Sequence, residues 1–141
     1  MHAEILRPVV ALTAWTLAMM VWMVVTRLPA MKAAGIDMGT LVGTKGSDAD
    51  RALPASVQWK AHNYNHLLEQ PVLFYTVCFV IALSGTDHPV NAAFAWTYVA
   101  LRVAHSLVQA TINRVRPRFL LFAASSLVLF GLTVHAGLAV F

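Results

Sequence analysis

The sequence predicts an all-α membrane protein, a bundle of four transmembrane helices in a single domain over residues 1–141. Three observations carry that expectation. The chain is 59% hydrophobic and only 11% charged, with a mean hydropathy of +0.68, more apolar surface than a soluble domain of this size can hide. The apolar residues fall into four blocks, each near the roughly 20 residues that cross a bilayer core of about 30 Å. Turn-formers and charges are gathered between the blocks.

The first span covers residues 5–26, with Arg7 and Pro8 at its start and Arg27 and Pro29 at its end. The apolar run is long and no small-residue cleavage site precedes Arg27, so it reads as a true span rather than a secretory signal. Residues 28–56 form a polar loop holding Pro29, Gly35, Gly39, Gly43, Gly46 and Pro54 among Lys, Arg and Asp. Its GTKGSDAD stretch lacks the glycine spacing of a phosphate loop. The second span is expected over 57–83, the third over 90–113 and the fourth over 119–140, with a short turn from Ser84 to Pro89 that has no Lys or Arg.

Basic residues give the orientation. Arg27, Lys32, Lys45, Arg51 and Lys60 flank or occupy the long loop, and Arg114, Arg116 and Arg118 follow the third span. Both connections are expected on the cytoplasmic side and both termini on the other, with Arg7 snorkelling at the interface. The net charge of +4 is thus a topology signal. No aromatic interleaving accompanies it, which excludes nucleic acid. Cys78 is the single cysteine, so no disulfide forms within the chain and the thiol reads as a small core residue.

The second span carries His62, Asn65, His66 and Glu69 within one narrow helical arc, groups that hydrocarbon rejects. The third repeats the pattern with Arg102, His105, Ser106, Gln109 and Asn113. On antiparallel neighbours the two stripes share one half of the bilayer, and Glu69 meets Arg102 at similar depth as a structural ion pair. Above that pair the imidazoles and amides outline a polar cleft opening toward the arginine turn, suited to a small anionic ligand beside a lipid-like one. His62, His66, Glu69 and His105 have spacing that admits a divalent ion, but no second carboxylate is in view and no metal is expected. His135 reads as a core histidine.

Lys60-Ala61-His62, then Asn65, Glu69-Gln70-Pro71 and Leu73-Phe74, resemble an Arg-Ala-His, Asn, Glu, Pro-Leu-Phe pattern. That pattern belongs to the second span of the MAPEG family, the membrane-associated proteins in eicosanoid and glutathione metabolism. Arg102-Val103-Ala104-His105 and Arg118 resemble the family's third-span motif and the arginine after it. The run from Asn63 to Tyr75 is similar to bacterial members and the whole to microsomal glutathione transferases, which implies a bacterial inner-membrane protein. The resemblance implies a homotrimer that binds glutathione, or another low-molecular-weight thiol, between subunits near the cytoplasmic face. It implies a transferase or peroxidase acting on lipophilic electrophiles in the membrane, with membrane lipid as its surroundings. Arg118 would stabilise the thiolate; Asn65, Glu69 and His105 would hold the peptide, Arg114 and Arg116 its carboxylates, and His62, His66 and Gln109 would complete the set. Lys60 stands where the family has arginine, and Gln109 where several members have the tyrosine that touches the thiol. The Gln109 departure favours the alternative, a noncatalytic member that binds lipid or scaffolds a partner.

Overall fold

A computed structural model describes residues 4–86 and 88–141; Asp87, within the expected turn after the second span, lies outside the described residues. The described chain is helical, without strands. In order it contains α1 (Leu6–Ala33), α2 (Ala49–Ala52), α3 (Ala55–Leu67), α4 (Pro71–Leu83), α5 (Pro89–Thr111) and α6 (Val115–Val140), with two single 3₁₀ turns, Met38–Thr40 and Gly46–Asp48, ahead of α2.

α1 begins where expected but runs seven residues beyond position 26. Pro29 sits inside it and breaks only a surface turn, where a missing N–H is cheap. The helix closes at Gly35, whose φ of +70° lets the Ile36 and Gly35 N–H groups reach back to Met31 and Lys32 carbonyls, the left-handed cap that glycine permits. The loop that follows is polar and largely exposed, as its composition requires, but it is tied down. Arg27 donates to the Gly46 carbonyl at 2.7 Å, and the Asp37 carboxylate accepts from the Gly39 N–H.

The second span is not one helix. Pro71 has no N–H to offer the Leu67 carbonyl and its ring crowds that turn, so α3 ends at Leu67 and α4 starts at Pro71. The intervening backbone tightens into short-range bonds, Leu68 to Asn65 and Leu73 to Gln70. Taken together, residues 55–83 still form one of three segments long and apolar enough to cross a membrane, beside α1 and α6.

α5 is different. Its 23 residues span about 35 Å, but it carries buried Asn91, Arg102, His105, Ser106 and Gln109, which lower its hydropathy. It occupies the middle of the bundle, packed against α1, α3 and α6, so its polar face meets protein. The apolar core joins Leu12 and Met19 of α1, Phe74, Cys78 and Ile81 of α4, Tyr98 of α5 and Leu132 of α6. Phe74 and Tyr98 stack with centroids 4.4 Å apart. Outward-facing Val10, Leu17, Leu73, Phe79, Leu127 and Phe130 remain exposed, the exterior expected of helices surrounded by lipid. His135 Nδ1 donates to Asn91 Oδ1 at 2.6 Å and its ring stands edge-on to Phe94, a half-buried histidine with its partner inside the bundle.

Candidate functional site

The break before Pro71 leaves the carbonyls at the end of α3 without helical partners. One of them, His66 O, accepts from Arg102 Nη2 at 3.1 Å. Arg102 is 0% exposed, so a cation sits at the negative end of α3's dipole. The same guanidinium places Nη1 3.5 Å from His66 Nε2. On the other side of the ring, His66 Nδ1 is 3.0 Å from Glu69 Oε2. A proton on Nδ1 satisfies both contacts, since the carboxylate only accepts and the guanidinium only donates.

The Glu69–Arg102 ion pair expected from the sequence is therefore not formed. His66 stands between the two, because the three-residue turn at 68–70 swings Glu69 outward, leaving its side chain 68% exposed. The two helices do run antiparallel, but about one turn out of the expected register. His66 faces Arg102, and three residues earlier Asn63 donates to Ser106 Oγ at 2.5 Å.

Asn63 replaces Asn65 as the amide inside the seam. Asn65 is exposed on the opposite side of α3, and His62 turns to the loop, where its Nε2 lies 2.8 Å from Asp50 Oδ1. Gln58 donates to the same oxygen at 2.6 Å. These contacts, Gln58 first and His62 second, hold the Asp50 carboxyl below its ordinary value by stabilising the anion. The expected arc of His62, Asn65, His66 and Glu69 is thus divided. Only His66 turns inward, because α3's packed side is set by Ala61, Asn63 and Leu67.

His66 joins His105 and Arg118 around a cavity of about 220 Å³, completed by Val115, Phe119 and Phe122. The two imidazole centroids are 4.9 Å apart, and Phe122 lies 5.6 Å from His66. Arg118 is positioned by Asn113, whose Oδ1 accepts from its Nη1. Asn113 adopts φ +47°, a left-handed turn that asparagine tolerates better than most residues, and its N–H closes α5 on the Val108 carbonyl. α6 starts four residues before the expected position 119, so Arg114 precedes it as its cap and Arg116 and Arg118 lie in its first turns. Arg114 and Arg116 are exposed and do not line the cavity. Gln109 is buried one turn beyond His105 and does not line the cavity.

Sequence reasoning passed over Val115, Phe119 and Phe122. Their spacing from Arg118 places all of them on one face of α6, and that periodicity was the available signal. Asn63 gave no such signal, because its inward orientation depends on where α3 ends. Among the described residues, no three His, Cys, Asp or Glu side chains group closely enough to hold a metal ion.

The cavity thus combines a fixed guanidinium, two imidazoles and an apolar wall, a setting able to hold an anion against a greasy partner. Comparison with family models matches residues 5–138 to the one described as the MAPEG family. No curated protein and no solved structure matches the chain.

Proposed function

The chain belongs to the MAPEG family, and on that premise we propose that it is a glutathione-dependent transferase or peroxidase acting on lipophilic electrophiles. The observation that carries this reading is the cavity itself, with Arg118, His66 and His105 on one side and Val115, Phe119 and Phe122 on the other. Bound glutathione, or a similar small thiol, supplies the nucleophilic sulfur. Arg118 holds positive charge at the thiolate and lowers the cost of ionising it. Arg114 and Arg116, exposed at the head of α6, supply guanidinium forks for the carboxylates. Glu69, free of Arg102, is available to the ligand's ammonium group, with Asn65 and His62 on the same outward side of α3. The phenylalanines accept the electrophile's apolar body.

Exposed Asn65 and Glu69 on a segment apolar enough to span would be costly facing lipid. In a homotrimer a second copy of the chain would cover them, with the ligand held between subunits. In this reading α5 also crosses the membrane, as the third of four spans, its polar side turned inward. The basic end carrying the loop and Arg114–Arg118 faces the cytoplasm of a bacterial inner membrane, with both termini on the far side.

Isothermal titration of the chain in lipid nanodiscs with glutathione tests this. Arg118→Ala is expected to weaken binding at least tenfold, the loss of one charge-assisted contact. Binding unaffected by that change overturns the assignment. Gln109, buried away from the cavity at the place of the family's tyrosine, favours a second reading, a noncatalytic member that binds lipid or scaffolds a partner. Glutathione binding without turnover of a chromogenic electrophile selects it.

A further inference from the structure

A second cavity, of about 370 Å³, lies between the start of α5 and the last turns of α6. His88, Asn91 and His135 are among its polar lining residues, and Val90, Leu138 and Ala139 are its apolar ones. His135 follows Arg118 by 17 residues within α6, about 26 Å along a helix that rises about 1.5 Å per residue. The cavity therefore stands at the other end of the bundle from the one at Arg118, and no residue lines both.

Hydrogen bonds around this cavity decide which nitrogen of each imidazole carries the proton. Asn91 Nδ2 donates to the Thr86 carbonyl at 3.2 Å, so its Oδ1 is the end that meets His135 Nδ1 at 2.6 Å. An amide oxygen only accepts. His135 Nδ1 is thus the protonated nitrogen, and Nε2 of the neutral ring is an acceptor. Phe94, edge-on with its centroid 5.7 Å away, packs against that ring. His88 has the reverse arrangement. Its Nδ1 accepts from the Val90 N–H at 3.2 Å as the cap of α5, so the proton of the neutral ring lies on Nε2, which donates. Neither Nε2 has a partner among the described residues. One cavity is lined by an imidazole donor and an imidazole acceptor, both unspent.

We propose that this cavity binds the hydroxyl end of a neutral lipophilic alcohol or phenol, the hydroxyl donating to His135 Nε2 and accepting from His88 Nε2. Charge decides against the alternatives. No Lys or Arg occurs between Ser84 and Asn91 or after Arg118, so a carboxylate or phosphate finds no cation from these segments, and as a pure acceptor it leaves His135 Nε2 unmet. An ammonium only donates and leaves the His88 N–H unmet. A hydroxyl does both. Val90 and Leu138 line the cavity and also belong to the exposed apolar exterior, so a molecule dissolved in lipid enters from the side with its apolar body against them. The site is independent of the thiol reading, which concerns the cavity at Arg118.

Equilibrium binding of radiolabelled para-octylphenol to the chain in lipid nanodiscs tests this, with protein-free nanodiscs subtracted. Octylbenzene, which has the same tail and no hydroxyl, is the control. Saturable binding of octylphenol and none of octylbenzene is expected. His88→Asn keeps an acceptor for the Val90 N–H but removes the imidazole donor, and should weaken octylphenol at least fivefold, the loss of one hydrogen bond, with glutathione titration unchanged. His135→Phe removes the acceptor, keeps a ring beside Phe94 and should weaken octylphenol by a similar factor. Where that variant does not fold, His88→Asn still decides, because His88 is exposed. Octylphenol held no better than octylbenzene, or equally by wild type and His88→Asn, overturns the proposal. Nitrogen NMR of histidine-labelled wild-type protein reads the tautomers directly: protons on His88 Nε2 and His135 Nδ1 are expected, with both Nε2 signals moving when octylphenol is added. A proton on His135 Nε2 in place of Nδ1, or Nε2 signals that octylphenol leaves in place, overturns it as well.

Discussion

α3 and α4 are each 13 residues long and follow one another on either side of a three-residue turn, but they are held by different forces. α4 is almost wholly apolar. It buries Phe74, Cys78 and Ile81 at 0% exposure and leaves Val72, Leu73 and Phe79 outside, so any side of it suits either lipid or core and its seating depends on shape. α3 carries Gln58, His62, Asn63, Asn65 and His66, and of these Gln58, His62, Asn63 and His66 each bond a specific counterpart on the loop or on α5. The half that packs by shape anchors the bundle. The half that packs by hydrogen bonds builds the cavity.

Truncating the buried guanidinium should break that contrast most severely. Arg102→Ala leaves the His66 carbonyl unpaired at the end of α3 and a void in the seam, and is expected to cost about 4 kcal/mol of stability. Denaturant unfolding in micelles measures it, and glutathione affinity should fall in parallel because His66 loses its anchor. Phe74→Ala removes the stacked partner of Tyr98 and should cost about 3 kcal/mol, but with glutathione affinity within twofold of wild type. Equal loss of affinity in both variants would erase the division of labour between the two helices.

A smaller effect comes from the junction. Pro71→Ala restores an N–H that can reach the Leu67 carbonyl, so α3 and α4 should tend to merge, with stability changing by about 1 kcal/mol or less. Amide exchange at residues 68–72 should slow; unchanged exchange would mean that Arg102, rather than the proline, sets the break.

The smallest effect is at the loop. The Asp50 carboxyl titrates lower in the folded chain than its ordinary value of 3.8, so the folded state gains from the anion above that value. The gain is lost as pH falls through the lower folded value. Protection of the Ala49–Ala52 amides, corrected for the intrinsic pH dependence of exchange, should accordingly be constant near neutrality and fall in acid, and Asp50→Asn should show the lower protection already at neutral pH. Exchange in that variant identical to wild type at neutral pH would show that Gln58 and His62 do not hold the loop.

How much of this was legible beforehand follows the same line. The apolar blocks, the turn residues and the polar interruptions are one-dimensional signals, and hydrophobicity against lipid or water acts on each block by itself. The all-helical membrane class, the positions of the helices within a few residues at most ends, the antiparallel pairing of α3 with α5 and the prominence of His66, Arg102, His105 and Arg118 all follow from those signals. The family resemblance rested on the same short motifs. What the sequence left open was rotation. A single proline decides where α3 stops, and three residues of tightened turn move Glu69 away from Arg102, turn His62 and Asn65 outward and bring Asn63 in. Side chains 100° apart on a helix are neighbours in any pattern count, but which of them faces a partner is settled only when the whole bundle packs. The orientation of a polar group is a property of its surroundings, and those belong to the tertiary structure.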